Sequence, residues 1–275
     1  MDRIRKALDV ARLERDSLEP ALLFDRAPVR DTAPEPPHAA APASIVYSRS
    51  RTFTPQPAEL ERNRIMNPDS SDRAAAAYRM LRTQVLQRMD ANAWRSLAVL
   101  SPGPHEGKTT TAINLSVSLA ADRLHTVLLV DFDLKRPTLA ARLGLAPEFG
   151  VDDVFAGRAY LEDCLYHPEG FDRLLVLPAR AAVGNSSEVL SGPRSRELVA
   201  DLRARYPERV IIFDLPPVLN ADDALSFAPL IDCGLVVAAE GRTKRNDLLR
   251  TVELLSKIPL VGTVLNRAAN APAGY

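Results

Sequence analysis

Six short apolar runs recur through the latter two thirds of the chain: Leu97–Leu100, Val127–Val130, Leu174–Leu177, Val210–Phe213, Gly234–Ala238 and Val261–Leu265. None alternates with polar residues as a half-exposed strand does, so each has to be covered on both faces. Stretches of helical length separate them, and continuous apolar strands joined by helices form a parallel sheet between helical layers. The pattern predicts an α/β fold: a doubly wound, mostly parallel sheet with helices on both faces, beginning near residue 72.

The region before that point has a different character. Ile4, Leu8, Ala11 and Leu13 fall near helical spacing among charged neighbours, so residues 1–19 read as a short N-terminal amphipathic helix. Residues 20–71 carry nine prolines, among them Pro36, Pro37, Pro55 and Pro57, with much alanine and few large apolar side chains. Such a composition predicts a disordered or polyproline-like linker. Asp69-Ser70-Ser71-Asp72 offers a cap for a helix through Ala74, Tyr78, Leu81, Val85 and Met89. The folded domain is expected over 72–270, with 271–275 a flexible tail.

Charge and cysteine content narrow the function classes. Lys and Arg total 35 and Asp and Glu total 35. No net field draws the whole surface to nucleic acid or to an anionic membrane, and no nucleic-acid partner is expected. Cys164 and Cys233 lack metal-ligand spacing and read as core residues of a cytosolic protein. The chain contains no run approaching the ~20 apolar residues that span a bilayer. It is therefore expected in the cytoplasm, peripheral to the inner membrane only through a partner.

The first strand runs straight into Ser101-Pro102-Gly103-Pro104-His105-Glu106-Gly107-Lys108-Thr109-Thr110, and a helix follows. Strand, loop and helix in this order are the setting of a phosphate-binding loop, although Pro102 stands where the consensus has its first glycine. Backbone N–H groups at the helix start converge on phosphate oxygens. Lys108 is expected to reach the β- and γ-phosphates of ATP, and the Thr109 hydroxyl to bind Mg²⁺. Gly103 and Gly107 permit close backbone approach. Asp131 and Asp133 end the second strand, two residues apart and so on one side if the strand persists, and Asp214 ends a later strand. Carboxylates at the carboxyl edge of a parallel sheet are placed for Mg²⁺ and for orienting an attacking group.

With these residues the chain resembles the bacterial tyrosine kinases of capsule and exopolysaccharide assembly, within the larger MinD/ParA group. The resemblance spans roughly residues 72–270. It rests on Gly107-Lys108-Thr109, on Val130-Asp131-Phe132-Asp133-Leu134-Lys135-Arg136-Pro137 as a Walker A′ element, and on Ile212-Phe213-Asp214-Leu215-Pro216-Pro217 as a Walker B. Gly103 stands where partition and septum-site ATPases carry a signature lysine, which argues against their mechanism. The resemblance implies an ATP- and Mg²⁺-dependent tyrosine autokinase that regulates polysaccharide synthesis and export beside a membrane-embedded chain-length partner. A nucleotide-switched scaffold without tyrosine transfer is the alternative. It further implies that Thr110 supports the α-phosphate, that Asn266 lies near the adenine, that Asp131 and Asp133 serve the incoming hydroxyl, and that Thr109, Asp131 and Asp214 organise Mg²⁺. Arg79 and Arg82 match a helix through which relatives oligomerise.

The chain departs from the family at several positions. Ala76 replaces a glutamate of the oligomerisation motif, His105 replaces a loop glycine, and Lys135 replaces an arginine. The closing segment Asn266–Tyr275 holds one tyrosine, Tyr275, instead of a cluster. Tyr160, Tyr166 and Tyr206 are expected to be packed or half-buried.

Overall fold

The computed structural model describes residues 50–268 apart from 123, 206 and 207. The expected N-terminal helix, the linker up to residue 49, and Tyr275 lie outside them. In chain order the elements are β1 (Arg51–Phe53), α1 (Pro57–Arg62), α2 (Arg73–Ala91), β2 (Ser96–Leu100), α3 (Lys108–Ala120) and β3 (Thr126–Asp131). Then come α4 (Leu139–Arg142), α5 (Val151–Ala156), β4 (Tyr166–Pro168), β5 (Leu174–Leu177), α6 (Ser186–Ser191) and α7 (Pro193–Arg205). The series ends with β6 (Arg209–Asp214), α8 (Asp223–Phe227), β7 (Cys233–Ala239), α9 (Arg245–Leu254) and β8 (Leu260–Asn266).

The strands form one sheet in the order β1-β4-β5-β3-β6-β2-β7-β8. All neighbours run parallel except β4 and β5. The six apolar runs are the six long strands, and β2, β5, β6 and β7 are buried along their whole length. Alternate side chains feed two cores. One face packs Leu128, Val130, Phe132, Phe213 and Phe227 against α5 to α8; the other packs Leu97, Val99, Leu129 and Ile212 against Val85, Met89, Ile113 and Leu115 of α2 and α3. Phe132 touches three rings, those of Phe155, Phe213 and Phe227, with centroids 4.9–5.8 Å away.

The expected cap forms: Asp72 accepts the Ala75 N–H at 2.6 Å and starts α2. The expected linker, however, has ordered structure at its end. β1 adds to the sheet beside β4, and α1 begins with Pro57 in its first turn, where a missing N–H costs nothing. Asn114 of α3 then clamps the chain after α1, accepting from Met66 N–H and donating to the Arg64 carbonyl, both at 2.9 Å. Cys164 and Cys233 are free thiols buried in the cores. Tyr166 is buried as expected, whereas Tyr160, at the start of a 3₁₀ turn, is 80% exposed.

Candidate functional site

Three segments meet at the carboxyl edge of the central strands. The loop 101–107 leaves β2, residues 132–138 leave β3, and residues 215–221 leave β6. Strand register sets Asp131 directly opposite Asp214 on β3 and β6, and Asp214 opposite Val99 on β2. Between the segments lies a cleft of about 260 Å³, lined by His105, Lys108, Asp133, Lys135, Arg142 and Asn220 among others.

Lys108 is the first residue of α3 and points into the acids, with Nζ 2.8 Å from Asp133 Oδ2 and 3.3 Å from Asp214 Oδ1. Its side chain is 9% exposed. Burial works against its charge, but Asp214 and Asp133 outweigh that and hold its pKa above the ordinary lysine value. Burial drives the opposite change in the acids. Asp131 is pushed well above the usual carboxylate range, with the charge of Asp214 adding to burial. Asp214 is raised as well, by burial above all, which Lys108 and the Thr109 hydroxyl partly offset.

The strand does not persist to Asp133, so the two Walker A′ acids divide their tasks. β3 ends at Asp131, whose oxygens accept the N–H groups of Asp133 at 3.2 Å and Leu139 at 3.1 Å. Asp131 thus shapes the loop that presents Asp133 to Lys108. Asp214 Oδ2 is buried and has no hydrogen-bond partner among the described residues. A bare carboxylate oxygen beside the Thr109 hydroxyl and Asp133 is a set of hard oxygen donors, and these residues fit a magnesium ion.

The loop is held from outside by residues that its motif does not reveal. Glu106 is buried; one carboxylate oxygen accepts the Gly103 N–H at 2.8 Å and the other the Thr243 hydroxyl at 2.5 Å. Arg242 donates to the Pro104 carbonyl at 3.0 Å and Arg267 to the His105 carbonyl at 2.9 Å. With the Pro104 and His105 carbonyls occupied in this way and the Gly103 N–H held by Glu106, the N–H groups of residues 105–107 are those left for an anion, and Gly103 is not one of them. Asn266 donates to the Glu106 carbonyl at 2.9 Å, and a Cβ on Gly107 would meet its Nδ2 at 1.9 Å. The residue expected near the adenine therefore also buttresses the loop. Gly107 holds φ +96° and His105 φ +61°, the latter a conformation that few non-glycine residues adopt.

Two further placements add to what the motifs give. Lys135 makes a carboxylate contact, bonded to the fully buried Asp223 at 2.8 Å. Arg142, unremarked in the sequence, donates to the Thr110 hydroxyl at 3.0 Å, and its Nε has no partner among the described residues.

A family model for the CobQ/CobB/MinD/ParA nucleotide binding domain matches residues 97–273. The chain belongs to this family. Within it, the tyrosine-protein kinase YwqD of Bacillus subtilis (strain 168) is 29% identical over 209 residues, covering 75% of this chain and 86% of YwqD. The succinoglycan biosynthesis transport protein ExoP of Rhizobium meliloti (strain 1021) is 30% identical over 204 residues, covering 70% of this chain and 25% of ExoP. Among solved structures, the VpsO kinase domain aligns with a TM-score of 0.64 at 33% identity, covering 71% of this chain and 95% of that domain. These relatives bear out the resemblance to bacterial tyrosine kinases read from the motifs. In this member of the nucleotide-binding family the two arginines expected to serve oligomerisation are engaged within the chain. Arg79 donates to the Ser70 carbonyl and Arg82 to the Ser118 carbonyl, each at 2.9 Å.

Proposed function

We propose that the chain is an ATP-dependent protein-tyrosine kinase acting in capsule or exopolysaccharide synthesis and export. The observation that carries this reading is the Lys108–Asp133–Asp214 cluster at the mouth of a phosphate-binding loop, in a chain whose relatives are named tyrosine kinases. ATP enters with its phosphates on the N–H groups of residues 105–110, and Lys108 exchanges its carboxylate partners for the β- and γ-phosphates. Thr110, held by Arg142, takes the α-phosphate side, and Asn266 the edge near the base. Thr109 and Asp214 would hold Mg²⁺, with Asp131 fixing the loop behind them; bound there, the ion would supply charge neutralisation for the transferred phosphoryl group.

When Lys108 turns to phosphate, Asp133 loses its partner and is left facing the cleft as a base. It takes the proton of an incoming tyrosine hydroxyl while the tyrosine oxygen bonds to the γ-phosphorus, and the bond from phosphorus to the β-phosphate oxygen breaks to release ADP. No helix among the described residues is long and apolar enough to cross a membrane. By likeness to these relatives, the reading places the chain at the cytoplasmic face of the inner membrane beside a membrane-embedded chain-length or export protein. Self-association through α2 would have to share the bonds that Arg79 and Arg82 already make.

The test is mass spectrometry of purified protein after incubation with Mg²⁺ and ATP, with and without the partner's cytoplasmic segment, beside Lys108→Ala. Lys108-dependent phosphate on Tyr275 or another tyrosine is the expected result. ATP turnover with no phosphotyrosine in either arm would instead indicate a nucleotide-switched scaffold.

A further inference from the structure

We propose that the His105 side chain is a phosphate-binding group of the nucleotide cradle, a side-chain donor on the loop that the Gly-Lys-Thr motif does not supply. The inference rests on the reading of the cleft as a nucleotide site and adds to it a contact that depends on protonation.

Two independent observations carry it. The first is conformational. His105 holds φ +61° in the loop, where a side chain costs about 1–2 kcal/mol that glycine would not. That strain is fixed in place, because Arg267 grips the His105 carbonyl and Arg242 the Pro104 carbonyl before it. Strain retained at a binding loop is a reason to look for a use of the side chain. The second is position. His105 is exposed, and it lines the same cleft as Lys108 and Asp133.

The cleft around it is balanced for such a contact. Asp133, Lys135, Arg136 and Arg142 line it from the segment after β3. Arg242 after β7 and Arg267 after β8 are committed through their guanidinium groups to loop carbonyls. On its own loop Glu106 is committed to Gly103 and Thr243, and Lys108 to the acids. Asp133 and Asp214 hold Lys108, and Asp223 holds Lys135, so the imidazole is a cleft group that no described bond commits. As a neutral ring it donates one N–H to a phosphate oxygen; as imidazolium it adds a full charge.

The experiment is calorimetric titration of MgATP and MgADP into the full chain at pH 6, 7 and 8, for wild type, His105→Asn and His105→Gly. Asparagine tolerates the left-handed backbone but carries no ionisable ring, and glycine removes the strain as well. Protonation of ATP itself is common to all three proteins and cancels between them. A charge-assisted bond to phosphate is expected to make wild type bind about tenfold more tightly than either variant at pH 6, with the gap closing to about threefold or less at pH 8. His105→Gly is expected to melt at a higher temperature than wild type while binding more weakly, which a purely structural role does not produce. Equal affinity of wild type and both variants at every pH overturns the inference alone. A wild-type protein that binds no ATP at any pH overturns it together with the nucleotide reading.

Discussion

Removing the Lys108 ammonium perturbs the most highly charged buried point of the molecule before any nucleotide is present. Its Nζ lies 2.8 Å from Asp133 and 3.3 Å from Asp214, whose side chains are 11% and 1% exposed. Lys108→Ala leaves those carboxylates, with Asp131 behind them, facing one another without a cation. Deleting one partner of a buried ion cluster costs about 3–5 kcal/mol. At about 2–4 °C per kcal/mol for a domain of this size, the unliganded variant should melt roughly 6–20 °C below wild type. The sign of the pH dependence follows from the acids. Asp131 and Asp214 already have folded pKa values above their unfolded ones, so the stability they contribute is present at low pH and lost as pH rises through the folded values. Lys108 lowers both, and its removal moves them further up. The deficit should therefore be larger at pH 8 than at pH 5. Circular-dichroism melts at the two pH values, without nucleotide, measure it, and Asp214→Asn added to Lys108→Ala should recover part of the loss. A variant that melts within about 2 °C of wild type at pH 8 would refute the picture of a mutually dependent cluster.

Three other perturbations are sharp enough to measure. Gly107→Ala places a Cβ 1.9 Å from Asn266 Nδ2 at φ +96°; it should cost at least about 2 kcal/mol in urea denaturation and abolish binding of a fluorescent ATP analogue. Phe132→Ala opens a void among Phe155, Phe213 and Phe227 directly behind the Walker A′ loop, and should cost about 3–5 kcal/mol by the same denaturation assay. Asp153 is buried, but its bonds to Arg180, the Gly150 N–H and Arg158 outweigh that burial and hold its pKa at about 2. Its depressed value means stability present above the ordinary 3.8 and lost as pH falls toward 2, worth at most about 2 kcal/mol and less because both arginines are half-exposed. Acid unfolding of Asp153→Asn should show a correspondingly flatter profile between those pH values.

The parts that were legible in the sequence are those whose physics is local or repetitive. A strand covered on both faces must be apolar throughout, so the long strands stood out; β8 was read the same way, but it ends the sheet and leaves Leu265 exposed. Asp72 capped α2 as its side chain requires. β4 and β1 were not legible, because three residues at the sheet's end carry no period. α1 was hidden by the prolines around it, although Pro57 sits where a helix accepts one. At the site, the motifs gave the loop, the lysine and the three acids. They gave no indication that both Asp131 oxygens accept backbone N–H groups, or that Glu106, Thr243, Arg242 and Arg267 brace the loop. Such bonds join residues as many as 162 positions apart and leave no spacing to read. Tyr160 was expected to be packed or half-buried and instead stands in solvent, while the 3₁₀ turn that follows it buries Leu161 and Cys164.

The central step is transfer of the γ-phosphate to a tyrosine hydroxyl from the Lys108 cleft. Label transfer from γ-³²P-ATP to a glutamate–tyrosine copolymer, with Mg²⁺, comparing wild type with Asp133→Asn under conditions where both are folded, measures that step. The account predicts labelled tyrosine with wild type and a loss of at least about a hundredfold with Asp133→Asn, while ATP affinity is retained. Equal labelling by the two proteins would contradict the role given to Asp133, and no labelling by wild type that binds MgATP would contradict the kinase itself.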